Sequence, residues 1–136
     1  MFFQKRKQLK WFKAALRPYR KGKLQRPYEM LFRYYMEIDR NLPSRRGEGH
    51  FEYFSMLKFD DIFDDAIAHV RSLLPETLLA NFNAALAAYE GLGEEPEVEQ
   101  IIEAFEEYDD FAAEHAEELA AILQCYIAEE KAKNAF

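Results

Sequence analysis

Residues that favour extended backbone are scarce in this chain: its 136 residues include two Val, seven Ile and one Thr, against eighteen Ala. Strands draw on β-branched side chains that pack across a pleated surface, whereas alanine gives up no side-chain freedom in a helix. The sequence therefore predicts an all-α protein, and apolar periodicity locates the helices. Residues 5 to 20 set Leu9, Phe12 and Leu16 on one face among Lys and Arg, with Pro18 and Gly22 closing a short basic amphipathic helix. Pro27 suits a first helical position, and Tyr28, Leu31, Phe32, Tyr35, Ile38 and Leu42 then recur at three-to-four spacing until Pro43.

The segment from Pro43 to Gly49 reads as a loop, because one proline and two glycines in seven residues interrupt any helix. Phe51, Tyr53, Phe54, Met56, Leu57 and Phe59 follow as a short aromatic-rich helical turn, and Asp60 or Asp61 is positioned to cap the next helix, with Phe63, Ile67, Val70 and Leu74 facing inward. Pro75 opens another helix through Leu78, Leu79, Phe82, Ala85, Leu86 and Tyr89, ended by Gly91 and Gly93. From Pro96 to about Lys133 a single phase holds Ile101, Ile102, Phe105, Tyr108, Ala112, Ala116, Leu119, Leu123, Tyr126 and Ile127 on one side, which fits either one long helix or two collinear ones, with Tyr108 to Phe111 as the place for a break. The expected architecture is a compact bundle of about six helices, divided into a basic N-terminal helical extension (1–26) and a main domain (27–136).

Hydrophobic residues make up 49% of a chain this short, enough for one core without metal or disulfide support. The single cysteine, Cys125, excludes an intrachain disulfide and a cysteine-based zinc site, and its place beside the apolar face of the last helix predicts a packed thiol. No apolar run approaches the roughly 18 residues of a spanning helix, and no leader core stands at the start, so a soluble cytoplasmic protein without a transmembrane segment is expected.

Charge is split along the chain. Residues 1 to 46 carry a net charge of +11 and residues 47 to 136 a net charge of −18, within a total of −7. Such an asymmetry implies that the halves neutralise each other or that one of them meets a charged partner.

Catalytic chemistry finds little support. Asp65 and His69 share a helix face and His115 lies three before Glu118, but no Glu-x-x-His element supplies a di-iron bundle. The glycines form no phosphate loop, and Ser44, Ser55 and Ser72 lack the glycines of a nucleophile elbow. A non-enzymatic protein with no cofactor and no metal is expected.

Two charged features point to binding instead. On a continuous helix, Glu99, Glu103, Glu106, Asp110, Glu114 and Glu117 fall within about 80° of arc over about 27 Å, with no Lys or Arg interleaved. Like charges at this spacing repel, at a cost small enough to be tolerated without any function, so the row is either a solubilising face or a partner-binding face that imitates phosphates. Its charges recur about every 5.4 Å, against one per about 1.7 Å of duplex DNA, so a full imitation needs the neighbouring carboxylates or a second subunit. The acidic half would not bind DNA directly. Residues 1 to 26 carry ten Lys plus Arg and no acid, interleaved with Phe2, Phe3, Trp11, Phe12 and Tyr19, a composition suited to nucleic acid or an anionic membrane.

The stretch Gly47-Glu48-Gly49-His50-Phe51-Glu52-Tyr53-Phe54 resembles the glycine–aromatic signature of a bacterial domain-of-unknown-function family that includes a DNA-mimic protein. The C-terminal part, from Glu107-Tyr108-Asp109-Asp110 through Glu117-Glu118-Leu119 to Tyr126-Ile127 and Phe136, is similar to the way those domains end. The similarity covers about residues 28 to 136. It implies an all-α, homodimeric, cytoplasmic protein; within the family the mimic member offers its acidic surface to a DNA-binding protein, while most relatives have no assigned role. From the residues themselves, Gly49 permits a tight turn, Phe51 and Phe54 belong to the core, and His50 caps a helix or stands exposed.

Overall fold

The computed structural model describes residues 2–42 and 48–136. Among them are seven helices and no strand: α1 (Phe2–Arg20), α2 (Arg26–Ile38), α3 (His50–Phe59), α4 (Phe63–Leu73), α5 (Glu76–Glu90), α6 (Val98–Glu114) and α7 (Ala116–Ala132). Residues 43–47 of the loop expected from Pro43 to Gly49, and the side chains of Phe2, Phe3 and Leu9, lie outside the described residues.

The centre of the fold is α2, which touches α3, α4, α6 and α7. Its sequence explains this position. Met30, Leu31, Phe32, Tyr34, Tyr35 and Ile38 cover more than one face, and all six are buried, so the helix is surrounded. Pro27 sits in its first turn, where the missing N–H removes no helical bond. Phe12 of α1 stacks on Phe32 at 5.5 Å between centroids, and Trp11 meets the same ring edge-on at 6.4 Å. Trp11, Phe12 and Ala15 thus belong to the same core as the residues of α2. On the far side Tyr34 meets Phe82 edge-on at 5.1 Å, and Phe54 joins Phe82 at 5.5 Å. Tyr126 ties α7 to the start of α2: its hydroxyl accepts the Gln25 N–H at 2.8 Å, and its ring lies parallel to Tyr28 at 3.8 Å.

Several expectations need correction. The helices number seven among the described residues, not about six: the final apolar phase is two helices and not one, and it is interrupted at His115 rather than between Tyr108 and Phe111. Asp109 and Asp110 remain inside α6 because their carboxylates reach His50 and Arg40 on neighbouring segments and are not needed as caps. At the break the His115 ring stacks on Phe111 at 4.2 Å, and its Nδ1 lies 3.0 Å from the Phe111 carbonyl oxygen, closing that turn on itself. Neither Asp60 nor Asp61 caps α4. Ile62 occupies that position, because Asp60 ends α3 and Asp61, at φ 57°, turns the chain in the left-handed region.

The aromatic turn is a ten-residue helix that buries Tyr53, Phe54 and Leu57 but leaves Phe59 90% exposed. Ile102, expected inside, is 54% exposed, since Ile101 and Phe105 take the inward positions of that turn. Cys125 is also exposed, its Sγ 3.6 Å from Glu129 Oε1, because Leu123, Tyr126 and Ile127 fill the buried face of α7.

Candidate functional site

The chain offers three polar arrangements: a buried clamp, a set of internal ion pairs, and two faces whose charges point outward.

The clamp joins α2, α3 and α6. His50, at the first position of α3, is fully buried, which corrects the expectation of a capping or exposed ring. Its Nδ1 lies 2.6 Å from Asp109 Oδ1 and its Nε2 lies 2.7 Å from the Tyr34 hydroxyl. Burial raises Tyr34 well above the ordinary phenol range, so the hydroxyl keeps its proton. With Nδ1–H donating to the carboxylate and Tyr34 O–H donating to Nε2, both ring nitrogens and the hydroxyl have partners. Asp109 Oδ1 also accepts the His50 backbone N–H at 2.9 Å, so one carboxylate holds the first turn of α3.

Gly49 makes this approach possible. Its φ is +91°, and a Cβ at that position would stand 2.3 Å from Asp109 Oδ2. The start of α3 and the middle of α6 therefore meet in space at Gly49, His50 and Asp109. His50 and Tyr34 have no exposed surface, whereas the Asp109 side chain is 18% exposed.

The ion pairs cross between the basic and acidic halves. Arg26 Nε lies 2.9 Å from Asp65 Oδ2, Arg33 meets Asp60, and Arg40 Nη1 lies 2.8 Å from Asp110 Oδ1. These arginines recur every seven residues along one edge of α2 and its continuation, a spacing that could have marked them as a set. Asp65 also approaches His69, Oδ1 to Nε2, at 3.3 Å, and its carboxyl is held below the usual range first by the hydrogen bond from Arg26. Among the described residues no group of three or more His, Cys, Asp or Glu is arranged to hold a metal ion.

The acidic row stands where the sequence puts it, with two qualifications. Glu99, Glu103, Glu106, Asp110 and Glu114 are all exposed on α6, while Glu117 is exposed on α7, beyond the interruption at His115. Asp110 is engaged by Arg40, and the other five meet no described cation. Glu94, Glu95 and Glu97 approach the start of α6 and are exposed, and Gln100 Oε1 accepts the Glu97 N–H at 2.9 Å to secure that end. Val98 and Ile102, 66% and 54% exposed, border the row. Asp60 and Asp65 are occupied by Arg33 and Arg26, so they do not extend it.

The basic segment behaves differently from α2. With the apolar side of α1 in the core, Lys10, Lys13, Arg17, Arg20, Lys21 and Lys23 are exposed and pair with no described carboxylate. A groove of about 540 Å³ runs between the end of α1 and the end of α7. Sequence reasoning missed the contribution of Lys131 and Phe136 to its wall, because residues more than a hundred positions from α1 carry no local sign of that proximity. No helix is long and apolar enough to cross a membrane, among the described residues. No family model, no curated protein and no solved structure matches the chain.

Proposed function

We propose that the protein is a non-enzymatic binding module whose acidic α6 face occupies the DNA-binding surface of a transcription regulator. The observation that carries this reading is the outward ridge of Glu99, Glu103, Glu106 and Glu114, exposed on one helix and without a described cationic partner. A merely solubilising face mixes signs, and it has no use for the exposed Val98 and Ile102 at its border. Carboxylates next to exposed aliphatic side chains suit a protein surface rich in Arg and Lys better than they suit water alone. The resemblance of Gly47–Phe54 and of the C-terminal stretch to a family with a DNA-mimic member supports the same reading. Glu94, Glu95, Glu97 and Glu107 raise the density of the row, and a homodimer would supply a second one.

The test uses the full-length chain as bait in a lysate of its native cell. A DNA-binding protein should remain after nuclease treatment, leave with rising salt and be displaced by duplex DNA. The double reversal Glu103→Lys/Glu106→Lys should abolish its capture. Unchanged capture by that variant removes the ridge from the account.

A further inference from the structure

We propose that the groove between the C-terminal ends of α1 and α7 binds the phosphate backbone of single-stranded nucleic acid. The inference concerns a different surface from the acidic ridge and stands independently of it. Lys13, Arg17, Lys21 and Lys23 line one side and Lys131 the other, with the half-buried Phe136 ring in the wall. The same Lys13, Arg17 and Lys21, with Arg20, wall an adjoining hollow of about 420 Å³, so the positive surface continues around α1. Lys10, Lys13 and Arg17 recur at three-to-four spacing, which sets them along one side of the helix. Gly22, at φ +68° with open space around it, turns the chain so that Lys21 and Lys23 reach the same groove.

All five cations of the groove are exposed, and none has an ion-pair partner among the described residues, in a chain whose net charge is −7. An excess of carboxylates elsewhere has not drawn these side chains into internal pairs. They are available to an external anion, and at physiological salt the roughly 8 Å screening length lets this local cluster outweigh the distant negative charge.

The structure separates the polyanions that such a cluster could take. A membrane-surface helix needs a free apolar face to enter the acyl boundary, and Trp11, Phe12 and Ala15 of α1 are already in the core. A rigid duplex lying across α7 meets the exposed Glu117, Glu118 and Glu129, whereas a flexible strand can follow the groove. Phe136 gives one base a ring to stack on, the usual complement to a cationic track in single-strand binding.

The experiment titrates the full chain into a labelled oligothymidylate of about 16 nucleotides, read by fluorescence anisotropy. Five phosphate contacts on a single strand predict a salt slope of about −3.5, an affinity loss of roughly 100-fold between 50 and 200 mM salt. Arg17→Glu/Lys21→Glu should weaken binding by at least about 10-fold and flatten the slope, and Phe136→Ala should weaken it with the slope unchanged. Arg71→Ala, a cation on α4, should leave both as they are. Circular dichroism should report the same helix content for every variant, since the altered charges are exposed and Phe136 lies beyond the last helix. Absence of binding at about 50 mM salt overturns the proposal, as does full affinity in the charge-reversed variant. Equal or tighter binding of a duplex of the same length, of anionic lipid vesicles, or of inorganic polyphosphate overturns the assignment to single-stranded nucleic acid.

Discussion

Arg26, Arg33 and Arg40, on and just beyond α2, each reach a carboxylate of the acidic half, while Lys13, Arg17, Arg20, Lys21 and Lys23, on and just beyond α1, reach none. Both segments are basic and aromatic in sequence. The difference lies in how much of each helix is covered. With apolar residues around most of its circumference, α2 is enclosed by neighbouring helices, and its arginines emerge at seams where α3, α4 and α6 present Asp60, Asp65 and Asp110. The other helix buries one stripe through Trp11, Phe12 and Ala15 and turns its cations away from the molecule. Composition counts both sets as one basic block, but the fold divides them into charges neutralised within the chain and charges left for something else.

Alkaline pH strikes at the enclosed helix most strongly. Burial raises the hydroxyls of Tyr34, Tyr35 and Tyr53 above the usual phenol value, with the Tyr35 bond to Asp39 adding to its shift. A raised folded value means that the contribution of each is complete below about pH 10 and is lost as pH rises, because the unfolded chain releases its protons first. Stability should fall by roughly 4 kcal/mol per pH unit above 10 while all three remain protonated, and tyrosinate absorbance should rise in step with unfolding. Ionisation well before unfolding would show that α2 is less enclosed than described.

The attachment of α1 comes next. Phe12→Ala removes a 3% exposed ring stacked on Phe32 and should cost about 3–5 kcal/mol in a urea titration. A cost under about 1 kcal/mol would mean that α1 is an appendage and that the contrast between the helices is one of attachment only.

Gly49→Ala probes the clamp that holds α3 to α2 and α6. A positive φ together with collision against Asp109 should cost about 2–4 kcal/mol. Adding Asp109→Ala should then cost less than Asp109→Ala does in the parent chain, a coupling readable from a double-mutant cycle.

Surface ion pairs carry the smallest effects. Arg40→Ala should lower stability by no more than about 1 kcal/mol, and less in high salt, since both partners are about half exposed. Lys13→Ala and Lys21→Ala should change stability by under about 0.5 kcal/mol at any salt. A larger loss for those lysines would place them in internal pairs and erase the contrast with α2.

Much of the fold was readable because an amphipathic helix repeats its own rule. Leu31, Phe32, Tyr35, Ile38, Phe82, Leu119 and Leu123 follow three-to-four spacing and are buried as that spacing predicts. The failures occur where a residue's role is set by a distant partner. Asp109 is a mediocre helix interior residue by propensity, yet His50, 59 positions away, gives it a reason to stay in the helix. Asp60 is a good cap by composition, but Arg33 and the left-handed Asp61 make it the end of one helix instead of the start of the next. For the candidate surfaces, the acidic residues and their exposure followed from periodicity. The pairing of Asp110, the break before Glu117 and the arrival of Lys131 beside α1 all depend on tertiary approach, which no local window contains.

The contact between Gly49 and Asp109 bears on how descent would appear in this chain. A side chain at position 49 meets two obstacles, the strain of φ +91° and the Asp109 carboxylate, so the bare position and the carboxylate suit each other. Kinship to this protein is therefore better sought as a joint state of two positions, one just before α3 and one inside α6, than as a contiguous string of glycine and aromatic residues.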